Sequence, residues 1–170
     1  SSGRASATPA SQEPLDAGQD LVELPTARGG RAAVVSDLHL TGTVTEASRR
    51  CTDELITVLE HWSEPGAFVI NGDGFEQLHE PVARIDEILD AHRSWTEAVQ
   101  RFAAQPGHTV VVLSGNHDGN IAWDPEVAST MQRRLGARHI AISADLVFDA
   151  ADGLHRVHVV HGNQDDQYNA

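Results

Sequence analysis

The chain of 170 residues is long enough for about one domain with a buried core. Hydrophobic residues make up 40% of it and charged residues 22%, and no run approaches the roughly 18 apolar residues that a membrane-spanning helix needs. Twelve Lys and Arg against 25 Asp and Glu leave a formal net charge of −13, which repels polyanions and argues against nucleic acid as a partner. The composition therefore excludes a membrane-spanning protein and a wholly disordered one, and leaves the oligomeric state open.

Residues 1–30 and the single cysteine bear on where the protein is found. Of the first 30 residues, 18 are Ser, Gly, Ala, Thr or Pro, which predicts a flexible leader before a domain over residues 31–170. This segment lacks the basic start and the continuous apolar core of a signal peptide. Cys51 has no partner for a disulfide, so a reducing, cytoplasmic compartment is predicted.

Short apolar runs alternate with amphipathic runs from residue 31 onward. The β-branched runs predict strands at residues 32–36, 67–71 and 108–113. Apolar residues at three- and four-residue spacing predict helices at residues 46–62, 81–102 and 125–135. Three short strands are then predicted at residues 140–142, 146–148 and 156–160, the last two joined by a hairpin around Asp152-Gly153. The order predicts an α/β architecture with a mainly parallel first half.

Polar side chains that can bind a metal follow four of the predicted strands. They are Asp37 with His39, Asp73, Asn116 with His117, and His161. In open α/β sheets, ligands bind beyond the carboxyl ends of the strands, so residues far apart in sequence can meet there. We therefore expect these side chains to surround one pocket.

The spacing of the first three of these residues suits metal binding. Asp37 and His39 are two positions apart, so at a strand end both side chains can turn to the same side and hold one cation. Asp73 follows Gly72, and its two carboxylate oxygens can bridge two cations about 3.5–4 Å apart. Each segment on its own is more often an ordinary turn or cap, and the metal interpretation depends on their combination.

The segment from Gly115 to Asp118 is the most informative one. Asn116 offers a carbonyl oxygen to a hard cation, and His117 can protonate a leaving oxygen or stabilise a phosphoryl oxygen. Asp118 could orient that imidazole, although an Asx turn with an exposed histidine is the alternative. His161 ends the last strand as another imidazole ligand, whereas His158 should point to the opposite face of that strand.

In this order, the motifs resemble the signature of calcineurin-like metallophosphoesterases, which runs D-x-H, G-D, G-N-H-D or G-N-H-E, a strand-end H, and G-H-x-H. Here they are Asp37-Leu38-His39, Gly72-Asp73, Gly115-Asn116-His117-Asp118 and Val160-His161-Gly162. The resemblance covers about residues 31–165. It implies an α/β fold with mixed β-sheets flanked by helices, arranged as an αββα sandwich.

The resemblance also implies a binuclear site and its reaction. The implied ligands are Asp37 and His39 for the first ion, Asp73 between the ions, and Asn116 and His161 for the second. The ions would be two divalent cations, Mn²⁺, Fe or Zn²⁺, and His117 with Asp118 would assist the leaving group. The reaction would be hydrolysis of a phosphomonoester, phosphodiester or pyrophosphate bond in a small phosphate-containing substrate by a metal-bound hydroxide.

The chain departs from this signature after His161, because no G-H-x-H follows in its last nine residues. In the family that motif gives each metal one imidazole, so we expect residues 31–170 to be an N-terminal portion of the domain, without the closing strands. A catalytically impaired fragment or a binding module is therefore the alternative, while the charge of −13 counts against a nuclease. Residues 161–169 resemble the H-G-x-x-x-D-x-Y stretch of the branch that includes UDP-2,3-diacylglucosamine hydrolases.

Overall fold

A computed structural model describes residues 16–77 and 85–162 of the chain. Its helices and strands are, in chain order, β1 (Asp16–Thr26), β2 (Arg31–Val35), α1 (Glu46–Glu60), β3 (Gly66–Asn71), α2 (Ile85–Ala91), α3 (Arg93–Ala103), β4 (His108–Leu113), α4 (Pro125–Leu135), β5 (Ala137–Ala150) and β6 (Gly153–Val160). The strands form one sheet in the order β1-β5-β4-β3-β2, with β6 also paired to β5. Only the β5–β6 pair is antiparallel among these described strands. The predicted α/β class is confirmed.

Alternate residues of the central strands face two different cores. On β3, Phe68 and Ile70 pack against the helices, whereas Ala67 and Val69 face the other side of the sheet. That second core is closed by strands rather than by helices, through Val22 and Leu24 of β1, Ala144 and Leu146 of β5, and Val159 of β6. The sheet therefore curls so that its own outer strands cover one face of its centre. None of the described helices combines the length and apolar character needed to cross a membrane.

The ends of α4 are encoded locally. Asp124 precedes the helix, and its side chain accepts a hydrogen bond from the backbone N–H of Glu126 at 2.9 Å. Pro125 occupies the first turn, where its missing N–H costs nothing. Gly136 ends the helix in the left-handed conformation, with φ of 71°. The predicted bounds of this helix are confirmed.

We expect Asp124→Ala to lower the free energy of unfolding by about 1 kcal/mol, because the first turn of α4 loses its side-chain acceptor. Urea unfolding followed by circular dichroism measures this change. Asp124→Ser keeps an oxygen at the cap and should recover most of the loss. Equal stability of both variants and the original chain would show that the cap contributes nothing.

Strand β1 lies inside the segment predicted to be a flexible leader, so that prediction is wrong from Asp16 onward. Over residues 19–26, the part of β1 whose burial the structure describes, Val22 and Leu24 are the buried residues, and this pattern is too short to be recognised in the sequence. The strand forms because it pairs in parallel along β5, more than 100 residues away. Residues 1–15, the remainder of the predicted leader before β1, lie outside the described residues.

The helix predicted at residues 81–102 is interrupted. Helix α2 ends at Ala91 and α3 begins at Arg93, and His92 between them has φ −102° and ψ 41°. The hydroxyl of Thr96 donates to the carbonyl oxygen of Leu89 at 2.8 Å, which satisfies an acceptor across the break. His92 is buried and its Nε2 lies 3.1 Å from the carbonyl oxygen of Thr41. This tertiary contact stabilises a break that helical periodicity does not reveal.

The predicted strands at residues 140–142 and 146–148 form one continuous strand, β5. Its first part pairs with β4 and its second part with β6, while β1 runs along its other edge. The continuous pairing along β1 removes the gap that the sequence pattern predicts. The hairpin around Asp152-Gly153 is confirmed, because β6 begins at Gly153 and pairs back onto β5.

Candidate metal centre

The predicted site residues follow strands whose ends meet at one edge of the sheet. Strands β2, β3 and β4 are parallel neighbours, and hydrogen bonds between them continue past their ends. The backbone N–H groups of Asp37 and His39 donate to the carbonyl oxygens of Gly72 and Asp73 at 3.2 and 2.9 Å. The N–H of Gly72 donates to the carbonyl oxygen of Leu113 at 2.9 Å. Backbone contacts therefore hold the site loops together.

Backbone strain is concentrated at the same positions. Asp37, His39 and Asp73 have φ of 55°, 43° and 49°, and they are the only non-glycine residues with positive φ in the described part of the chain. This conformation costs a residue with a side chain about 1–2 kcal/mol. Such strain persists where surrounding contacts enforce it, and it is concentrated at functional sites. The strain thus marks these three residues independently of their chemistry.

The side chains of Asp37, His39 and Asp73 fit a single cation. Nε2 of His39 lies 3.9 Å from Oδ1 of Asp37 and 4.0 Å from Oδ2 of Asp73, too far for hydrogen bonds. Two ligands that each lie about 2.1 Å from one ion can be up to about 4.2 Å apart. The Asp73 side chain is 5% exposed and that of Asp37 is 58% exposed, so the group opens to solvent on one side. Mixed carboxylate and imidazole donors suit Mn²⁺, Fe or Zn²⁺.

His161, which follows the end of β6, also reaches Asp73. Its Nε2 lies 3.2 Å from Oδ2 of Asp73, and its Nδ1 lies 3.1 Å from the carbonyl oxygen of Asn71, to which it donates. The second contact leaves Nε2 as the nitrogen directed at Asp73. A Cβ at Gly72 would lie 2.5 Å from Nδ1 of His161, so no larger residue fits there without moving the imidazole. The G-D motif therefore requires its glycine for close approach.

Asp118 organises the backbone of the site. Its Oδ1 accepts from the N–H of Gly115 at 2.7 Å and of Asp73 at 3.2 Å, and its Oδ2 accepts from the N–H of Phe75 at 3.2 Å. Asp118 is 1% exposed, and burial raises the pKa of its carboxyl despite these three donors. Both of its oxygens contact backbone amides, so a direct role of Asp118 in orienting the imidazole of His117 stays a prediction.

The imidazole of His117 is held instead by Glu76, a residue that sequence reasoning missed. Nδ1 of His117 lies 2.9 and 3.1 Å from the two carboxylate oxygens of Glu76. This hydrogen bond is the largest cause of a raised pKa of His117. The N–H of His117 also donates to Oδ1 of Asp73 at 2.9 Å. The signal in the sequence was an acidic residue three positions after Asp73, beyond the end of the same strand.

Four of the five predicted metal ligands are thus brought together, namely Asp37, His39, Asp73 and His161. Asn116 lies on the same loop as His117 with its side chain exposed, and its role as a ligand stays a prediction. His158 is exposed and its Nδ1 lies 2.7 Å from Oδ1 of Asp145, which confirms that it faces away from the site.

Comparison with known proteins identifies the family to which the chain belongs. Searches among curated proteins and among solved structures return no match to the chain. A family model described as calcineurin-like phosphoesterase matches residues 30–169, most of the chain and every residue of the site. The chain therefore belongs to the calcineurin-like phosphoesterases, a family of metal-dependent hydrolases that act on phosphoesters.

Proposed function

We propose that the chain hydrolyses a phosphoester or pyrophosphate bond in a small substrate at a site for two divalent cations. The observation that carries this proposal is the position of Asp73. Its nearly buried Oδ2 lies 4.0 Å from Nε2 of His39 and 3.2 Å from Nε2 of His161. A carboxylate between two imidazoles that approach from different strands is placed to bridge two ions. In this proposal Asp37 and His39 hold the first ion, and Asn116 and His161 hold the second.

In this proposal the cations and the protein side chains have different roles in the reaction. When bound, the two cations would activate water and neutralise charge on the phosphoryl oxygens. His117 is the proposed proton donor to the leaving oxygen, because its pKa is raised and its ring is hydrogen bonded to Glu76. Asp73 and Asp118 place His117 by holding the backbone of its loop. No side chain needs to act as a covalent nucleophile.

The identity of the metal, the class of substrate and the branch of the family are inferred in this proposal from the sequence. Mn²⁺, Fe and Zn²⁺ all suit the donor set, and a phosphomonoester, a phosphodiester and a pyrophosphate are all compatible substrates. The motif that suggests the UDP-2,3-diacylglucosamine hydrolase branch extends over residues 161–169, and residues 163–169 lie outside the described residues. The net charge of −13 favours a small substrate over nucleic acid.

The proposed function is tested by replacing two histidines in turn. His161 follows the end of β6 and is a proposed ligand, and His158 lies within β6 and serves as the control. The 170-residue chain is treated with a chelator, reconstituted with Mn²⁺, and assayed with p-nitrophenyl phosphate, bis-p-nitrophenyl phosphate and a UDP-sugar pyrophosphate. We expect hydrolysis that depends on Mn²⁺ and falls about a hundredfold or more in His161→Asn. His158→Asn should keep the original rate, because His158 faces away from the site.

The main alternative is a binding module, or an impaired fragment, on the same scaffold. It predicts that the chain binds Mn²⁺ in calorimetry but turns over none of the three substrates. That result would contradict the proposed hydrolysis by this chain. Equal losses in His161→Asn and His158→Asn would contradict the assignment of His161 as a ligand.

A further inference from the structure

Asn71, the last residue of β3, makes two contacts with the segment that carries His161. Nδ1 of His161 donates to the backbone carbonyl oxygen of Asn71 at 3.1 Å. The side-chain Nδ2 of Asn71 donates to the carbonyl oxygen of Val160 at 3.3 Å. Both partners are about 90 residues away in the chain. Asn71 therefore connects the end of β3 to the end of β6, directly beside the metal group.

The side chain of Asn71 lies on the face of β3 that packs into the core closed by strands. Ala67 and Val69 belong to this core, and the alternation of side chains along a strand places residue 71 on the same face. Leu113, its partner on β4, is also in this core and 0% exposed. An apolar side chain at the end of β3 would continue the core, so packing alone does not explain an amide there.

The side-chain amide of Asn71 is only half satisfied. Its Oδ1 is buried, and no donor within the described residues contacts it. Because the carbonyl oxygen of Val160 can only accept, the amide nitrogen must be the atom that faces it. A buried acceptor without a donor lowers stability. Features that lower stability are concentrated where function requires them, so the contact between Nδ2 and Val160 is the reason we infer for this asparagine.

The contact at Val160 determines where the imidazole of His161 begins. Val160 is the last residue of β6, and it pairs with Ser143 of β5. At this point Nδ2 of Asn71 holds the carbonyl group of Val160, and the Asn71 carbonyl oxygen orients the ring of the next residue. The ring then presents Nε2 at 3.2 Å from Oδ2 of Asp73. The two contacts of Asn71 thus direct His161 toward the bridging carboxylate.

We propose that the side chain of Asn71 is a positioning residue for the second ion, because it holds the end of β6 so that His161 reaches Asp73. This proposal rests on the proposed function, in which His161 is a ligand of that ion. Asn71 itself contacts neither ion. His39 is held differently, since its backbone N–H donates to the carbonyl oxygen of Asp73 at 2.9 Å. Loss of the Asn71 amide should therefore weaken the second metal position more than the first.

The experiment compares two variants at Asn71 with a matched control. Asn71→Leu replaces the amide by an apolar group of similar shape, and Asn71→Ala removes the amide without replacing its bulk. The control is Ser143→Ala, because the hydroxyl of Ser143 also donates to a backbone carbonyl oxygen of another strand, that of Asp20 at 2.9 Å. Thermal unfolding of each variant measures its stability.

Nuclear magnetic resonance of the histidine rings gives a readout that needs no substrate. Spectra are recorded for the metal-free chain and during titration with Zn²⁺, which is diamagnetic and suits the donor set. The ring of His39 reports on the first metal position, and the ring of His161 reports on the second. The two positions are thereby followed separately in one titration.

We expect the ring signals of His161 to change in both metal-free Asn71 variants, while those of His39 stay the same. The Zn²⁺ concentration that shifts His161 should rise about 10-fold or more, and the concentration that shifts His39 should rise by a smaller factor. The unfolding temperature of Asn71→Leu should be unchanged or higher, because this variant lacks the buried acceptor without a donor. Ser143→Ala should change neither ring.

Unchanged His161 signals in a folded Asn71 variant would overturn the proposal, and so would equal weakening of the responses of His39 and His161 to Zn²⁺. A loss of stability in both variants that changes all histidine signals alike would also overturn it, since Asn71 would then be a structural residue only. If Zn²⁺ shifts no His161 signal in the original chain, the proposed second ion is wrong. In that case the metal-free spectra still decide whether Asn71 positions His161.

Discussion

We expect Asp73→Asn to lower Mn²⁺-dependent hydrolysis about 10³-fold or more while the fold is retained. The substitution removes the negative charge and one of the two oxygens that would bridge the ions, and an amide bridges two cations poorly. The remaining amide oxygen can still accept from the N–H of His117, which the Asp73 carboxylate now holds at 2.9 Å. Initial rates over a range of Mn²⁺ concentrations, with thermal unfolding as the check on folding, measure the effect.

A matched control for this prediction is Asp145→Asn. Asp145 also makes close contacts with a histidine, at 2.7 Å from Nδ1 of His158, but it lies on the part of β5 that pairs with β6. Its loss should leave the hydrolysis rate unchanged. If the Asp73 and Asp145 variants retain the same activity, a bridging role for Asp73 is wrong, and with it the two-metal proposal.

The second large effect is expected on stability. Asp118→Ala should lower the free energy of unfolding by at least about 3 kcal/mol, because each buried donor left without an acceptor costs about 1–3 kcal/mol. The three donors are the backbone N–H groups of Gly115, Asp73 and Phe75, which all bond to this one buried carboxylate. Urea unfolding measures the change, and hydrolysis should fall as well because these donors belong to the site loops.

Asp124→Ala serves as the comparison for Asp118→Ala. Both aspartates accept backbone N–H groups, but Asp124 is exposed, so water can replace its side chain at the cap. The burial of Asp118 should therefore separate the two variants by roughly 2 kcal/mol or more. A folded Asp118→Ala with unchanged stability and reduced hydrolysis would instead support the hypothesis that Asp118 acts directly on His117.

Local sequence patterns were sufficient for the central strands and for α4. Strands β3 and β4 are apolar runs buried on both faces, and α4 has its aspartate cap, its first-turn proline and its final glycine in adjacent positions. Such signals lie within a few residues of the structure that they determine. The break at His92 and the strand β1 depend instead on residues far away in the chain, Thr41 and β5. No local pattern contains that information.

The site likewise combines features that the sequence indicates with features that depend on tertiary contacts. The sequence alone indicated which residues lie together at the strand ends, because Asp37, His39 and Asp73 follow parallel strands that end at one edge of the sheet. His161 follows β6, which runs antiparallel back along β5. Only the tertiary structure decided which acid holds His117. Asp118 is its neighbour in sequence, but the backbone turns the Asp118 carboxylate toward three amides and brings Glu76 to the imidazole from 41 residues away. Hydrogen-bond partners are chosen by distance and direction in space, which adjacency along the chain does not determine.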